Sequence, residues 1–346
     1  MKINVKFWSI IIVFSVVVIL IKNNPFEFNK KYIFERTYSD KLKFIEVTED
    51  KIASINNITL ASSNFVYDYE LTSLDTLNNT CKMKFYDSKS FDLIQHFDFD
   101  LPKSNQISFC DSNNVYCIDK FDLYVYSIKE KKKKKIAVNL NIYDVVSIGE
   151  ASKKVLLFGE YKSRHKYQTG FFLLNLETNE MIETYIVEEG DTSQILNNSL
   201  IYSGNFSKSK DTISYYCDKY SKIYFFNTNG NFQKEIITKD ESPKPKLVSN
   251  NNGTYYKRGA TFNTNNGLFT MNDDLFIFSS RNEQSNKITV DCYSFSTGKY
   301  KFSTSFGCNN KTNVDINFVT KNQNNLIIGF DDKMALLKIS YNADVN

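Results

Sequence analysis

The chain has 346 residues, 24% of them charged, with only 4 Pro and 12 Gly, which excludes chain-wide disorder and the collagen-like and Pro-rich classes. Its aromatic share of 15%, from 29 Phe, 22 Tyr and 1 Trp, tilts the prior toward pleated, half-buried strands. Positions 1–36 carry the whole net charge of +4 and the rest of the chain is balanced, so the globular part has no basic footprint for nucleic acid.

The first element is apolar. Phe7 to Ile21 reads FWSIIIVFSVVVILI, without a charge, after Lys2 and Lys6 and before Lys22. A short positive tail before an apolar core is the pattern of an export signal. No Ala-x-Ala site follows, only Lys22-Asn23-Asn24-Pro25. Positions 1–22 therefore read as an uncleaved signal anchor or transmembrane helix, with a cleaved signal peptide and a buried core helix as the alternatives. Positions 23–40 read as a polar tether rich in Asn and Lys, and 41–346 as the folded domain.

From residue 41 a short apolar run, a polar turn and a second apolar run recur. Such hairpins centre on Asp87, Ser127, Asn175, Asn227, Ser296 and Ser340, at spacings of 40, 48, 52, 69 and 44 residues. Each is preceded by another predicted strand pair, for example at 107–119, 145–161, 193–206, 267–280 and 316–330. Four strands in about 40–50 residues is the size of a propeller blade. The sixth hairpin runs out before a fourth strand, while KLKFIEVT at 41–48 is an orphan strand at the start. If the orphan completes the last blade, the ring closes and hides its edges. The expected fold is all-β: a six-bladed propeller of four-stranded antiparallel blades, closed by an N-terminal strand and preceded by a membrane helix. A pair of β-sandwich domains is the alternative.

The hairpin motif, as in Asn227-Thr228-Asn229-Gly230 and Ser296-Thr297-Gly298, resembles that of six-bladed propellers of the TolB-like and quinoprotein-like type. More narrowly, the chain is similar to uncharacterised membrane-anchored propellers of Bacteroidota. The resemblance covers residues 41–346 and implies a fold, not a reaction.

Residues that carry chemistry are sparse. The two histidines, His96 and His165, are too few for a multi-His metal or haem site. No nucleophile motif is present, so no catalytic residue, metal ligand or cofactor is assigned. Glu160, Asp273 and Asn266 are the only candidates for a divalent site of the lactonase type, and no spacing marks them. None of the six cysteines forms C-x-x-C; Cys110 and Cys117 flank one turn and are the candidate disulfide, against buried free thiols. Lys131 to Lys135 fall at the tip of the second hairpin, as a solvated turn or a contact for anionic headgroups.

Arginine is rare, with 4 in the chain. Arg164, with His165, and Arg281 fall in second-to-third strand loops. Arg258, with Tyr255, Tyr256 and Lys257, falls in the long connection 240–266. These loops share one face of a propeller, and Arg with Tyr is typical of binding hot spots. The face is the predicted ligand or partner site. The reading is an exported, membrane-tethered binding or scaffold module for an envelope protein, peptide or glycan, with the domain periplasmic or on the cell surface. A propeller enzyme using a metal or quinone on a small substrate is the alternative, and a structural subunit of a larger complex a third.

Overall fold

The computed structural model describes residues 34–47, 58–61, 65–75, 77–87, 90, 92–149, 153–191, 197–209, 211–250, 253–281, 287–307, 316–322, 325–330 and 334–341. The apolar segment at 1–22, the first part of the tether and Cys308 lie outside them. Among the described residues no helix is long and apolar enough to cross a membrane.

The chain enters through β1 (Leu42–Val47). Sheet I holds β2 (Ile58–Ala61), β3 (Phe65–Ser73), β4 (Asn78–Asp87) and β5 (Leu93–Pro102). Sheet II holds β6 (Gln106–Cys110), β7 (Asn114–Asp119), β8 (Asp122–Ser127) and β9 (Lys132–Ala137). Sheet III holds β10 (Asn141–Ile148), β11 (Lys154–Lys162), β12 (Lys166–Asn175) and β13 (Met181–Asp191). A one-turn helix, α1 (Asn198–Ile201), precedes sheet IV, which holds β14 (Gly204–Lys208), β15 (Thr212–Cys217), β16 (Lys222–Asn227) and β17 (Phe232–Ile237). A separate hairpin, β18 (Leu247–Asn250) and β19 (Gly253–Tyr256), follows. Sheet V holds β20 (Asn265–Met271), β21 (Asp274–Ser279), β22 (Lys287–Ser294) and β23 (Tyr300–Gly307). Sheet VI holds β24 (Ile316–Asn322), β25 (Asn325–Phe330) and β26 (Met334–Tyr341), and its outer strand is β1, antiparallel to β26 with Leu42 opposite Tyr341.

The chain is therefore all-β, built from four-stranded antiparallel sheets in a propeller-like arrangement. The first strands touch in order, β2 to β6, β6 to β10, β10 to β14, β14 to β20 and β20 to β24, and β24 touches β2.

The core lies between successive sheets, because alternate side chains of a strand leave by opposite faces. On β7, Val115 and Cys117 pack toward sheet I, while Tyr116 and Ile118 pack toward sheet III. Both faces of the central strands are thus buried, which is why they read as apolar runs rather than as alternating ones. The densest ring cluster joins sheets III and IV. There Phe158 lies 4.7 Å from Phe171 and 4.6 Å from Tyr215, centroid to centroid.

The predicted hairpin anchors act as side-chain acceptors for their own turns. Asn175 Oδ1 accepts from Glu177 N at 2.9 Å, and Asn227 Oδ1 from Asn229 N and Asn231 N, both at 3.0 Å. Asp87 and Ser127 do the same for Ser90 N and Glu130 N. This is the Asx- and Ser-turn chemistry that favours Asp, Asn and Ser there. In sheet V the acceptor is Ser294, to which Thr297 N donates, not Ser296. Ser340 lies inside β26, opposite Lys43 of β1, because the fourth strand comes from the other end of the chain.

One further expectation changes. In the described part of 193–206, Asn198–Ile201 form α1 and 204–206 begin β14, although Leu200-Ile201-Tyr202 has a strand-like composition; Ile201 and the following Tyr202 fill the core between sheets III and IV. At the end of the stretch 23–40, Ser39 N donates to Ser303 O and Ser303 N to Thr37 O, so residues 37–39 lie along β23.

Candidate functional site

The connection from sheet IV to sheet V departs from the repeat. It leaves β17 through a buried polar knot. Ser242 Oγ donates to Asp240 Oδ2 at 2.7 Å, and Ser242 N donates to Ser221 Oγ at 2.6 Å. The chain then folds into β18 and β19. Within this long connection, Asn250-Asn251-Asn252-Gly253 between Leu247-Val248-Ser249 and Thr254-Tyr255-Tyr256 is a hairpin signal.

A two-stranded hairpin is marginal alone, so this one is stapled down. Leu247 packs on the core between sheets III and IV. Tyr256 OH donates to Leu200 O of α1 at 2.8 Å, with Lys219 Nζ 5.2 Å from the Tyr256 ring centroid. Lys244 pairs with Glu188 of β13 at 2.6 Å.

The opposite face looks outward. Val248 stands directly across from Tyr255, at 47% and 46% exposure. The ladder continues by one bond, Lys257 N to Lys246 O at 2.7 Å, which sets Lys246 across from Lys257. Both lysines are exposed, as is Arg258 beside them. Among the described residues no carboxylate pairs with these three cations. The site is thus an apolar pair next to an opposed pair of like charges.

Arg281 follows β21 in the connection to β22, but its side chain is not presented to solvent. It is 9% exposed and holds the connection from beneath. Its Nη2 donates to Ser242 Oγ at 2.9 Å, and its guanidinium carbon lies 4.5 Å from the Phe262 ring centroid. Its backbone N donates to Ser279 Oγ, which also accepts from Arg36 Nη2 at 3.0 Å. Arg36, placed by sequence in the tether, is buried. It makes two bonds to Asp291, 2.9 Å from Nε to Oδ1 and 3.1 Å from Nη2 to Oδ2. Burial pushes the Asp291 carboxyl above its ordinary value, and the bonds from Arg36 and Ser303 pull it back down. Nothing in the sequence separates these two arginines from exposed ones.

Of the predicted face, Tyr255, Tyr256, Lys257 and Arg258 share the hairpin. Arg164 and His165 stand exposed on the β11–β12 turn, and Arg281 is withdrawn into the core. The lysine run is also repositioned. Only Lys131 is in the turn, and Lys132 to Lys135 belong to the outer strand β9. Lys133 lies over Tyr124 and Tyr126, Lys135 pairs with Asp122 at 2.7 Å, and Lys134 donates to Leu176 O. Lysines on an outer strand discourage strand addition there.

The divalent candidates do not converge. Glu160 is buried on β11, paired with Lys162 at 2.9 Å. Asn266 lies near the start of β20 and Asp273 in the turn beyond its far end, roughly 20 Å apart at the rise of an extended strand. Cys110 and Cys117 are free and buried. Cys110 is opposite Val115 and Cys117 opposite Ile107, so the two are not cross-strand partners. Burial pushes both thiols up, and His96 is an exposed residue of β5.

One carboxylate without a cation joins three sheets. Asp144 on β10 accepts from Ser108 Oγ of β6 at 2.5 Å, from Val145 N, and from Phe206 N of β14 at 3.0 Å. Desolvation, reduced by these bonds, puts its pKa at about 6. Ser108 and Asp144 lie at bulges of their strands, and β2, β20 and β24 carry a bulge as well.

No protein-family model matches this chain, and no curated protein matches it. Among solved structures it is similar to a member of the duf4221 family from Bacteroides vulgatus, with a TM-score of 0.47 at 8% identity over 87% of this chain and 99% of that one. It is also similar to Hsv2 of Kluyveromyces lactis with loop 6CD replaced by a Gly-Ser linker, with a TM-score of 0.41 at 11% identity over 84% and 95% of the two chains. A chain of a mitotic checkpoint complex gives a TM-score of 0.41 at 7% identity over 90% and 94%.

Proposed function

We propose that residues 41–346 form a six-bladed β-propeller that works as a binding or scaffold module. Six four-stranded sheets, the circuit of first-strand contacts and the use of β1 as the outer strand of sheet VI support the ring. The module is held at a membrane by the apolar segment within 1–22, with the domain on the extracytoplasmic side. Its partner is an envelope protein, peptide or glycan. The apolar run between Lys6 and Lys22 supports this placement.

The inserted hairpin carries the binding reading. It is the excursion that breaks the repeat, it is fixed from below, and it holds an aromatic and an aliphatic side chain in solvent beside three cations. A fixed loop that presents Tyr with cations is what a protein-binding hot spot requires.

The test is crosslinking in native envelopes. Wild type is compared with a variant whose residues 247–256 are replaced by a Gly-Ser linker of equal length. The expected result is a discrete partner captured by wild type and lost in a variant that still unfolds cooperatively, at a midpoint lowered by the loss of the Leu247 and Tyr256 contacts. A partner retained by the folded variant moves the contact off the hairpin, and no partner at all removes the binding reading.

A further inference from the structure

Two like charges directly across a pair of strands oppose folding of the hairpin. Lys246 and Lys257 are in that position, and Arg258 adds a third positive charge at the same end. An anion seated between the two lysines removes the repulsion. The next outward cross-strand pair, Val248 and Tyr255, is apolar and exposed. The two pairs lie two residues apart along each strand, about 7 Å at the rise of a strand. That is also the distance between side chains i and i+2 of an extended peptide, which point to the same side.

Resting on the binding-module reading above, we propose that the outward face of the β18–β19 hairpin docks an extended segment of a partner protein in which an acidic and an apolar residue are separated by one residue. The carboxylate sits between Lys246 and Lys257, with Arg258 beside it. The apolar side chain lies on Val248 and Tyr255. Charge complementarity selects the acidic residue, and the neighbouring apolar pair selects a peptide over a bare anionic surface, which offers no matching side chain. The hairpin pairs with no third strand among the described residues, which suits an extended ligand.

The probes are labelled octapeptides, read by fluorescence anisotropy with the detergent-solubilised full chain. TETVTETV keeps Glu and Val two apart on one face. TEVTTEVT has the same composition with Glu and Val adjacent, hence on opposite faces. TKTVTKTV replaces the acid by a base. The expected order places TETVTETV about tenfold or more above both others, with loss of that preference in Tyr255→Ala. The double variant Lys246→Glu with Lys257→Glu keeps a like-charge pair, so its hairpin is no better off than in wild type. It is expected to invert the preference toward TKTVTKTV.

Equal binding of TETVTETV and TEVTTEVT overturns the spacing and leaves only unspecific charge. Binding of anionic phosphatidylglycerol vesicles, with all peptides inert, overturns the peptide in favour of a lipid surface. If the envelope partner is lost on hairpin replacement while no peptide binds, the binding module stands and this inference falls. If no partner is captured at all, the module itself falls.

Discussion

Two groups of cations in this chain have opposite surroundings. Arg36 and Arg281 are buried, share Ser279, and are tied to Asp291 and to Ser242 with its neighbour Asp240. Lys246, Lys257 and Arg258 are exposed, mutually repulsive and paired with no described carboxylate. The first group joins the N-terminal segment, sheet V and the base of the long connection. The second stands at the top of the same connection. The role of a cation here follows from its burial and pairing rather than from its residue type. A buried ion pair whose partner is removed is costly, whereas an exposed like-charge pair costs little and leaves a site for an anion.

Removing the buried cation is the strongest way to break the comparison. Arg36→Met leaves the Asp291 carboxylate buried without its partner, and about 3–5 kcal/mol of stability is lost in urea unfolding. Adding Asp291→Leu is expected to restore most of it, because an apolar pair of similar volume replaces the ion pair. A neutral Arg36→Met would mean that the N-terminal segment is not docked. Arg281→Met keeps an apolar contact with Phe262 but removes the charge-assisted bond to Ser242 Oγ, at a cost of about 1–3 kcal/mol. Limited proteolysis then cuts faster within 240–264.

Asp144 sharpens the comparison, since it is a carboxylate held by a hydroxyl and two backbone N–H groups rather than by a cation. Its native pKa of about 6 lies above the ordinary 3.8, so the folded state holds the proton more tightly than the unfolded chain. Stability conferred by that proton is present at low pH and falls as pH rises from about 4 through 6. Asp144→Asn is expected to flatten the unfolding midpoint over that window. An unchanged slope contradicts the assignment. The smallest effect is at the hairpin. Lys246→Glu turns a like pair into an opposite pair and stabilises by about 0.2–1 kcal/mol, while it removes the anion site.

Much of the fold was legible because its determinants are local. Short apolar runs and the Asp87, Ser127, Asn175 and Asn227 turn acceptors set the four-strand unit, and the orphan strand at 41–48 matches the outer strand of sheet VI. The misreadings are tertiary or compositional. Leu200-Ile201-Tyr202 suits a strand, but burial against sheets III and IV makes it a helical turn. The hairpin signal Asn250-Asn251-Asn252-Gly253 lies inside a stretch whose composition resembles a linker. At the candidate site, Tyr255, Tyr256, Lys257 and Arg258 stand out by residue type and loop length. Lys246 and Val248 do not, because only the register sets them across from Lys257 and Tyr255. The burial of Arg36 and Arg281 depends on Asp291 and Ser242, which are distant from them in sequence.

The central claim is that the outward hairpin face makes the contact, and site-specific photocrosslinking in native envelopes tests it most directly. A benzophenone side chain is placed at position 255, and at position 182, an exposed site on β13, as the control. The account predicts one discrete protein adduct from position 255 and none from 182. Adducts from 182 alone, or the same adducts from both, would contradict it.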